Sequence, residues 1–289
     1  MQIQKVGVVG AGLMGTGIVQ VIAEAGIVVT WMDISQQQLH KGMVSIQSIL
    51  KRKCEKGQLD EREADNVLKR IVASSDMQSM HDMDLIIEAV PENLDMKTNI
   101  FKQLDAIASE HAIIVSNTSG VSISALGAAT KRPERIAGFH FFYPAGLMKL
   151  VEITPGLLTS HAVVEALCAF SNRIGKVSVK CNDYPGFVVN RILVPMMNEA
   201  IYLVMEGVKA DDVDLAMKLG ANHPMGPITL ADYVGLDTLL ATMLGLYEGF
   251  KDSKYRPCPL LVKKVEAGTL GRKTGKGFYT YDSKGGRVS

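Results

Sequence analysis

Runs of apolar, β-branched residues recur through the first 180 positions: Lys5 to Gly10, Val28 to Asp33, Asp84 to Val90, Ala112 to Ser116, Arg135 to Phe142, Leu150 to Thr154 and Lys176 to Cys181. Short continuous runs of this kind predict strands buried on both faces. Between several of them lie stretches with helical periodicity, among them Met14 to Ala25, Gln36 to Lys56, Glu61 to Arg70 and Leu94 to Ser109. Strands alternating with helices predict an α/β unit on a mainly parallel sheet. After Asp183 nearly every periodic segment is helical: Pro185 to Glu206, Ala210 to Leu219, Pro227 to Gly249 and Leu260 to Ala267. The expected organisation is therefore an α/β domain over residues 1–183 and a smaller all-helical domain over 184–289. Pro185 suits the first turn of a helix, where its missing N–H costs nothing, whereas Pro195 falls inside that helix and predicts a kink. From Gly271 onward a loop and short strand are expected to tuck against the body.

The segment Gly10-Ala11-Gly12-Leu13-Met14-Gly15 directly follows the first strand and opens a helix, the context a dinucleotide fingerprint requires. Gly10 allows the tight turn, Gly12 lets the backbone approach a pyrophosphate, and Gly15 permits close packing of helix on strand. The amides of Leu13 and Met14 would face that pyrophosphate. A glycine cluster also makes ordinary turns, but Asp33 ends the next strand 18 residues after Gly15. There a carboxylate accepts from a ribose 2′-hydroxyl and repels a 2′-phosphate, favouring NAD over NADP. The competing role for Asp33 is a helix cap. The fold class expected is thus a Rossmann-type dinucleotide-binding domain followed by a helical one, with FAD still open on these features alone.

With 31 Lys plus Arg against 30 Asp plus Glu, the net charge of +1 gives no footprint for nucleic acid or an anionic membrane. No apolar run reaches membrane-spanning length and no signal-peptide pattern opens the chain, so a cytoplasmic protein is expected. The four cysteines are far apart and lack zinc-site spacing, which predicts neither a disulfide framework nor a bound metal.

A nicotinamide cofactor raises the question of which side chain takes the hydroxyl proton as hydride leaves, and His is the usual candidate near neutral pH. Of six histidines, His40, His81, His111, His161 and His223 sit in polar surroundings that suit a surface role. His140 closes a strand and precedes Phe141-Phe142-Tyr143-Pro144, where ligands of open α/β sheets bind. Twelve residues later, Glu152 stands in the apolar strand Leu150 to Thr154. A buried carboxylate needs a partner, and the His140 imidazole is a natural one, with Lys149 the alternative. Ser119, after the strand ending at Ser116, could bond a reacting oxygen or simply shape a turn. Asn190, about one turn into the helix opening at Pro185, could hold a hydroxyl or carbonyl oxygen or lie on a solvated face.

His140, Ser119 and Asn190 sit in segments that resemble the L-3-hydroxyacyl-CoA dehydrogenase family, most of all its short bacterial 3-hydroxybutyryl-CoA members. The matching segments are Val8 to Gly15, Glu88 to Asn93, Ser116 to Ser119, Gly138 to Pro144, Pro185 to Arg191, Gly226 to Asp237 and Gly271 to Tyr279. The resemblance implies His140 as general acid/base, Glu152 as its orienting partner, Ser119 and Asn190 as substrate-binding and catalytic residues, and Glu92, Lys97 and Asn117 near the nicotinamide half of NAD. It further implies reversible hydride transfer between NAD and C3 of an (S)-3-hydroxyacyl-CoA, and a homodimer formed through the second domain, which would close over the site. Arg52 and Lys56, four apart on one helix face, could meet the CoA phosphates. Gly42 lacks the hydroxyl that some relatives carry there. Fatty-acid oxidation, butyrate formation and polymer-precursor metabolism all use this chemistry. The competing readings are a dehydrogenase of a small sugar acid such as L-gulonate, a relative with a Lys acid/base group, and a non-catalytic nucleotide binder.

Overall fold

The computed structural model describes residues 3–288. The chain divides into two compact units, the first ending at Asp183 and the second starting at Tyr184. The first unit runs β1 (Val6–Val9), α1 (Leu13–Glu24), β2 (Val29–Met32), α2 (Gln36–Glu55), α3 (Glu61–Lys69), β3 (Ile71–Ser74), β4 (Leu85–Glu88), α4 (Leu94–Ile107), β5 (Ile113–Ser116), α5 (Ile123–Ala128), β6 (Ile136–Phe141), β7 (Leu150–Pro155), α6 (His161–Arg173) and β8 (Val177–Lys180). Its strands form one sheet in the order β3-β2-β1-β4-β5-β6-β7-β8. The first six strands are parallel, β7 runs antiparallel to β6, and β8 is parallel to β7. The order reverses between β1 and β4, and such a switch point opens a crevice at the carboxyl ends of the strands.

Every residue of β1, β4, β5 and β6 is buried, because helices cover both faces. On one face Ile18 and Ile22 of α1, Leu39 and Ile46 of α2 and Leu167 and Phe170 of α6 form the core with alternate strand residues. On the other, Phe101 and Leu104 of α4 and Leu126 of α5 pack on Ile86 and Ile114. Two strands differ from expectation. The short edge strand β3 has only one buried residue, Ile71, and its apolar run, Ile71-Val72-Ala73, is only three residues long. The other edge strand, β8, was expected to be buried on both faces, yet Val177 and Val179 are exposed. Their branched side chains suit the strand backbone whether or not a second layer covers them.

The second unit contains α7 (Val189–Met205), α8 (Ala210–Gly220), α9 (Pro227–Val234), α10 (Leu236–Phe250) and α11 (Pro259–Glu266). Its opening helix starts at Val189 and not at Pro185, because Gly186 and Phe187 take φ of 75° and 47°, left-handed values that no right-handed helix contains. Pro195 does lie inside α7. The single helix expected over Pro227 to Gly249 is two, since Gly235 at φ 99° breaks it and the halves meet at 97°. Met197, Ile201, Ile228, Leu236, Leu239 and Met243 form the core of this unit. Its C-terminal segment is pinned by two buried acids. Asp232 accepts from the amides of Phe278 and Tyr279 and the Tyr281 hydroxyl, while Asp214 accepts from the amides of Ile228 and Thr229 and the Tyr279 hydroxyl. Burial and the adjacent acids push both Tyr hydroxyls well above their ordinary range. Among the described residues no single helix is long and apolar enough to cross a membrane.

Candidate active site

The loop between β1 and α1 is shaped by its glycines. Gly10 adopts φ 110°, and a Cβ there would stand 2.6 Å from the Ala89 carbonyl oxygen. At Gly15 a Cβ would lie 2.0 Å from the Gly10 carbonyl oxygen, so helix and strand could not close up. At Gly12, by contrast, nothing lies within 4 Å, and the backbone faces open space. Gly12 caps α1 without a side-chain hydrogen bond, whereas Ser35, Asn93, Ser122 and Ser160 cap α2, α4, α5 and α6 with theirs. An unobstructed helix start at the switch point fits a dinucleotide pyrophosphate. Asp33 accepts from the Ala11 amide at 2.7 Å and the Ser35 amide at 2.8 Å, and Trp31 Nε1 donates to the Gly10 carbonyl at 3.0 Å. Ser35 is the cap of α2, so Asp33 braces the glycine loop instead of capping a helix. Gly15→Ala is expected to weaken NADH binding at least tenfold and to lower the thermal midpoint, since overpacking against backbone costs about 1–3 kcal/mol. Fluorescence titration and thermal unfolding check both.

Across the sheet, Val9, Glu88, Ser116 and Gly138 stand in one row through β1, β4, β5 and β6, so the segments that follow them share one edge. Glu88 is fully buried and accepts from Lys97 Nζ at 2.7 Å, the Val90 amide at 2.7 Å and Ser116 Oγ at 2.6 Å. Lys97 is itself 1% exposed and reaches Glu92 at 3.3 Å and the Val90 carbonyl at 3.2 Å. Glu92 in turn accepts from the amides of Ser119 and Gly120 and from Thr118 Oγ1. Lys97 is thus turned inward as the link between two carboxylates. Asn117 Oδ1 accepts from the Phe141 amide at 2.8 Å, tying the β5 loop to the end of β6.

His140 and Glu152 face each other directly in the antiparallel pairing of β6 with β7. Nδ1 lies 2.8 Å from Glu152 Oε2, with the imidazole 9% and the carboxylate 1% exposed. The alternative partner Lys149 is not used for this contact. An ionised carboxylate only accepts, so the contact requires Nδ1–H and makes Nε2 the basic nitrogen of the ring. Phe142 packs on the imidazole with ring centroids 4.5 Å apart. The arrangement holds a base in one tautomer and one orientation at the carboxyl edge of the sheet.

Asn190 is the second residue of α7 in the second unit, not one turn in, because that helix starts late. Arg52, in the last turn of α2, and Lys56, its C-cap, are exposed and unpaired among the described residues, while Lys53 between them binds both oxygens of Glu24 at 2.7 Å. Gly42 has a packing reason: a Cβ there would lie 2.2 Å from the Trp31 ring. Glu88 was missed by the sequence reading, although a lone acid in an apolar run was the signal that found Glu152.

Family models match both units: the 3-hydroxyacyl-CoA dehydrogenase NAD-binding domain over residues 5–184 and the C-terminal domain of the same enzymes over residues 186–281. The 3-hydroxybutyryl-CoA dehydrogenase of Bradyrhizobium diazoefficiens is 51% identical, with 96% of each chain covered. A probable 3-hydroxybutyryl-CoA dehydrogenase of Bacillus subtilis is 48% identical over 98% of this chain and 99% of its own. The crystal structure of (S)-3-hydroxybutyryl-CoA dehydrogenase from Ralstonia eutropha superposes with a TM-score of 0.95 at 47% identity, covering 98% of this chain and 100% of that one. With a glycine loop open to a dinucleotide, a carboxylate-held histidine on the same sheet edge and both domain matches end to end, this chain belongs to the NAD-dependent 3-hydroxyacyl-CoA dehydrogenase family.

Proposed function

We propose that the protein interconverts an (S)-3-hydroxyacyl-CoA and the 3-oxoacyl-CoA, with 3-hydroxybutyryl-CoA as substrate, acting as a cytoplasmic homodimer. The observation that carries this reading is the His140–Glu152 pair, buried at the edge where the glycine loop also opens. NAD, when bound, supplies the acceptor for the hydrogen leaving C3 with its electron pair. His140 Nε2 takes the hydroxyl proton as the C3 carbonyl forms, and returns it when the reaction runs as reduction. Glu152 keeps the ring in the tautomer that leaves Nε2 basic and stabilises the imidazolium that follows. Ser119, on the loop held by Glu92, donates to the substrate oxygen; Asn190 is assigned to the same oxygen from the family match over residues 186–281. Arg52 and Lys56, unpaired at the end of α2, are assigned to the CoA phosphates. Exposed Leu203, Leu215 and Leu219 on α7 and α8 support a dimer through the second unit.

Acetoacetyl-CoA is expected to oxidise NADH in a spectrophotometric assay, with activity falling across 3-oxoacyl-CoAs of longer chain. Turnover of a free sugar acid in place of any acyl-CoA would overturn the substrate. The Asp33 carboxylate beside the ribose site repels a 2′-phosphate, so kcat/KM with NADH should exceed that with NADPH by roughly 100-fold or more. A preference for NADPH would remove Asp33 from the ribose.

A further inference from the structure

Six residues make α5 too short to secure its own start: it has fewer than two turns, and isolated helices of that length do not persist in water. Its first N–H groups need partners from outside. Ser122 caps it locally, accepting from the Ala125 amide at 3.2 Å. The two preceding amides are taken by a side chain about 60 residues away in sequence. Asp183 Oδ1 accepts from the Ile123 amide at 2.9 Å, and Oδ2 accepts from the Ser124 amide at 2.7 Å and from Ser122 Oγ at 3.2 Å. A negative charge at a helix start is also favourable toward its dipole.

The consequence concerns the loop before α5. Residues 118–120 are gripped by Glu92 through the Thr118 hydroxyl and the Ser119 and Gly120 amides. Residues 122–124 are gripped by Asp183. Ser119 therefore rides on a short span with a carboxylate anchor at each end, one supplied from the segment after β4 and the other by the last residue of the first unit. We infer that Asp183 is a positioning residue for Ser119, fixing the far end of the loop whose near end Glu92 holds. This inference rests on the assignment of Ser119 to the substrate oxygen. Asp183 touches no reacting atom; it acts by limiting where the Ser119 hydroxyl can go.

The test is a double-mutant cycle in the full-length protein with acetoacetyl-CoA and NADH, read beside hydrogen exchange of the 117–126 segment. Asp183→Ala is expected to speed exchange in that segment and to lower kcat/KM for acetoacetyl-CoA by roughly 10-fold to 100-fold, as misplacement of a contact group does. KM for NADH should stay within about twofold, and Asp183→Asn, which keeps one accepting oxygen, should recover part of the loss. Combined with Ser119→Ala, the Asp183→Ala substitution should add less than about twofold, because both remove the same contact. Effects that multiply in the double variant, unchanged exchange, or full activity of Asp183→Ala with Ser119→Ala impaired would each overturn the role of Asp183. Full activity of Ser119→Ala would overturn it too, and would trace the fault to the Ser119 assignment.

Discussion

His140→Asn should lower kcat for both directions by roughly 10²- to 10⁴-fold, the range attributed to a positioned acid/base group, while leaving the fold and NADH binding intact. Asn is the informative replacement because its amide nitrogen can still donate toward Glu152, whose carboxylate is 1% exposed. Alanine would strand that carboxylate without its partner and mix a stability loss into the kinetic one. The companion change, Glu152→Gln, tests the tautomer. A carboxamide can donate to Nδ1 and so place the ring proton on Nε2, where it blocks the base. Its kcat should therefore fall far more than its thermal midpoint. Steady-state kinetics with acetoacetyl-CoA and with (S)-3-hydroxybutyryl-CoA, beside thermal unfolding, separate the two effects. If His140→Asn kept turnover within about threefold of the parent, proton transfer would belong to another group.

Lys97→Met should strongly destabilise the first unit. The ammonium and the Glu88 carboxylate are 1% and 0% exposed and 2.7 Å apart. Deleting one member of such a pair leaves the other charged and desolvated, at a cost of about 3–5 kcal/mol. For a unit of this size that lowers the thermal midpoint by roughly 6–20 °C. Met preserves most of the volume, so the loss reports charge and not a cavity. Adding Glu88→Gln should return a large part of the stability, since the amide oxygen still accepts from the Val90 amide or Ser116 and no lone charge remains. A Lys97→Met protein within about 1 kcal/mol of the parent would show that the pair contributes little. Because Lys97 also reaches Glu92, which holds the Ser119 loop, the single variant should lose acyl-CoA turnover along with stability.

The glycine loop and the His140–Glu152 pair were legible in the chain because each has a local signature. One is a fixed spacing after a strand, and the other is an ionisable residue where only apolar ones belong. Glu88 carries that same signature between Asp84 and Val90 but has no histidine to draw attention to it. Lys97 was legible as a cation near the site but not as a buried one, since nothing in its helical neighbourhood marks which way it turns. Asp183 was invisible as a functional residue: its partners, Ser122 to Ser124, lie about 60 positions earlier.

Periodicity and spacing by themselves determined the alternation of strands and helices, the helical second half and the dinucleotide loop. These depend on short-range sterics and on which residues must leave water, and both are written in neighbouring positions. Only the tertiary structure decided that Gly235 splits a helical run, that β7 turns back on β6 to set His140 against Glu152, and that Lys97 joins two carboxylates beneath the Ser119 loop. Strand direction, register and the facing of a long side chain are settled by contacts between segments far apart in sequence, and those contacts exist only once the chain has packed.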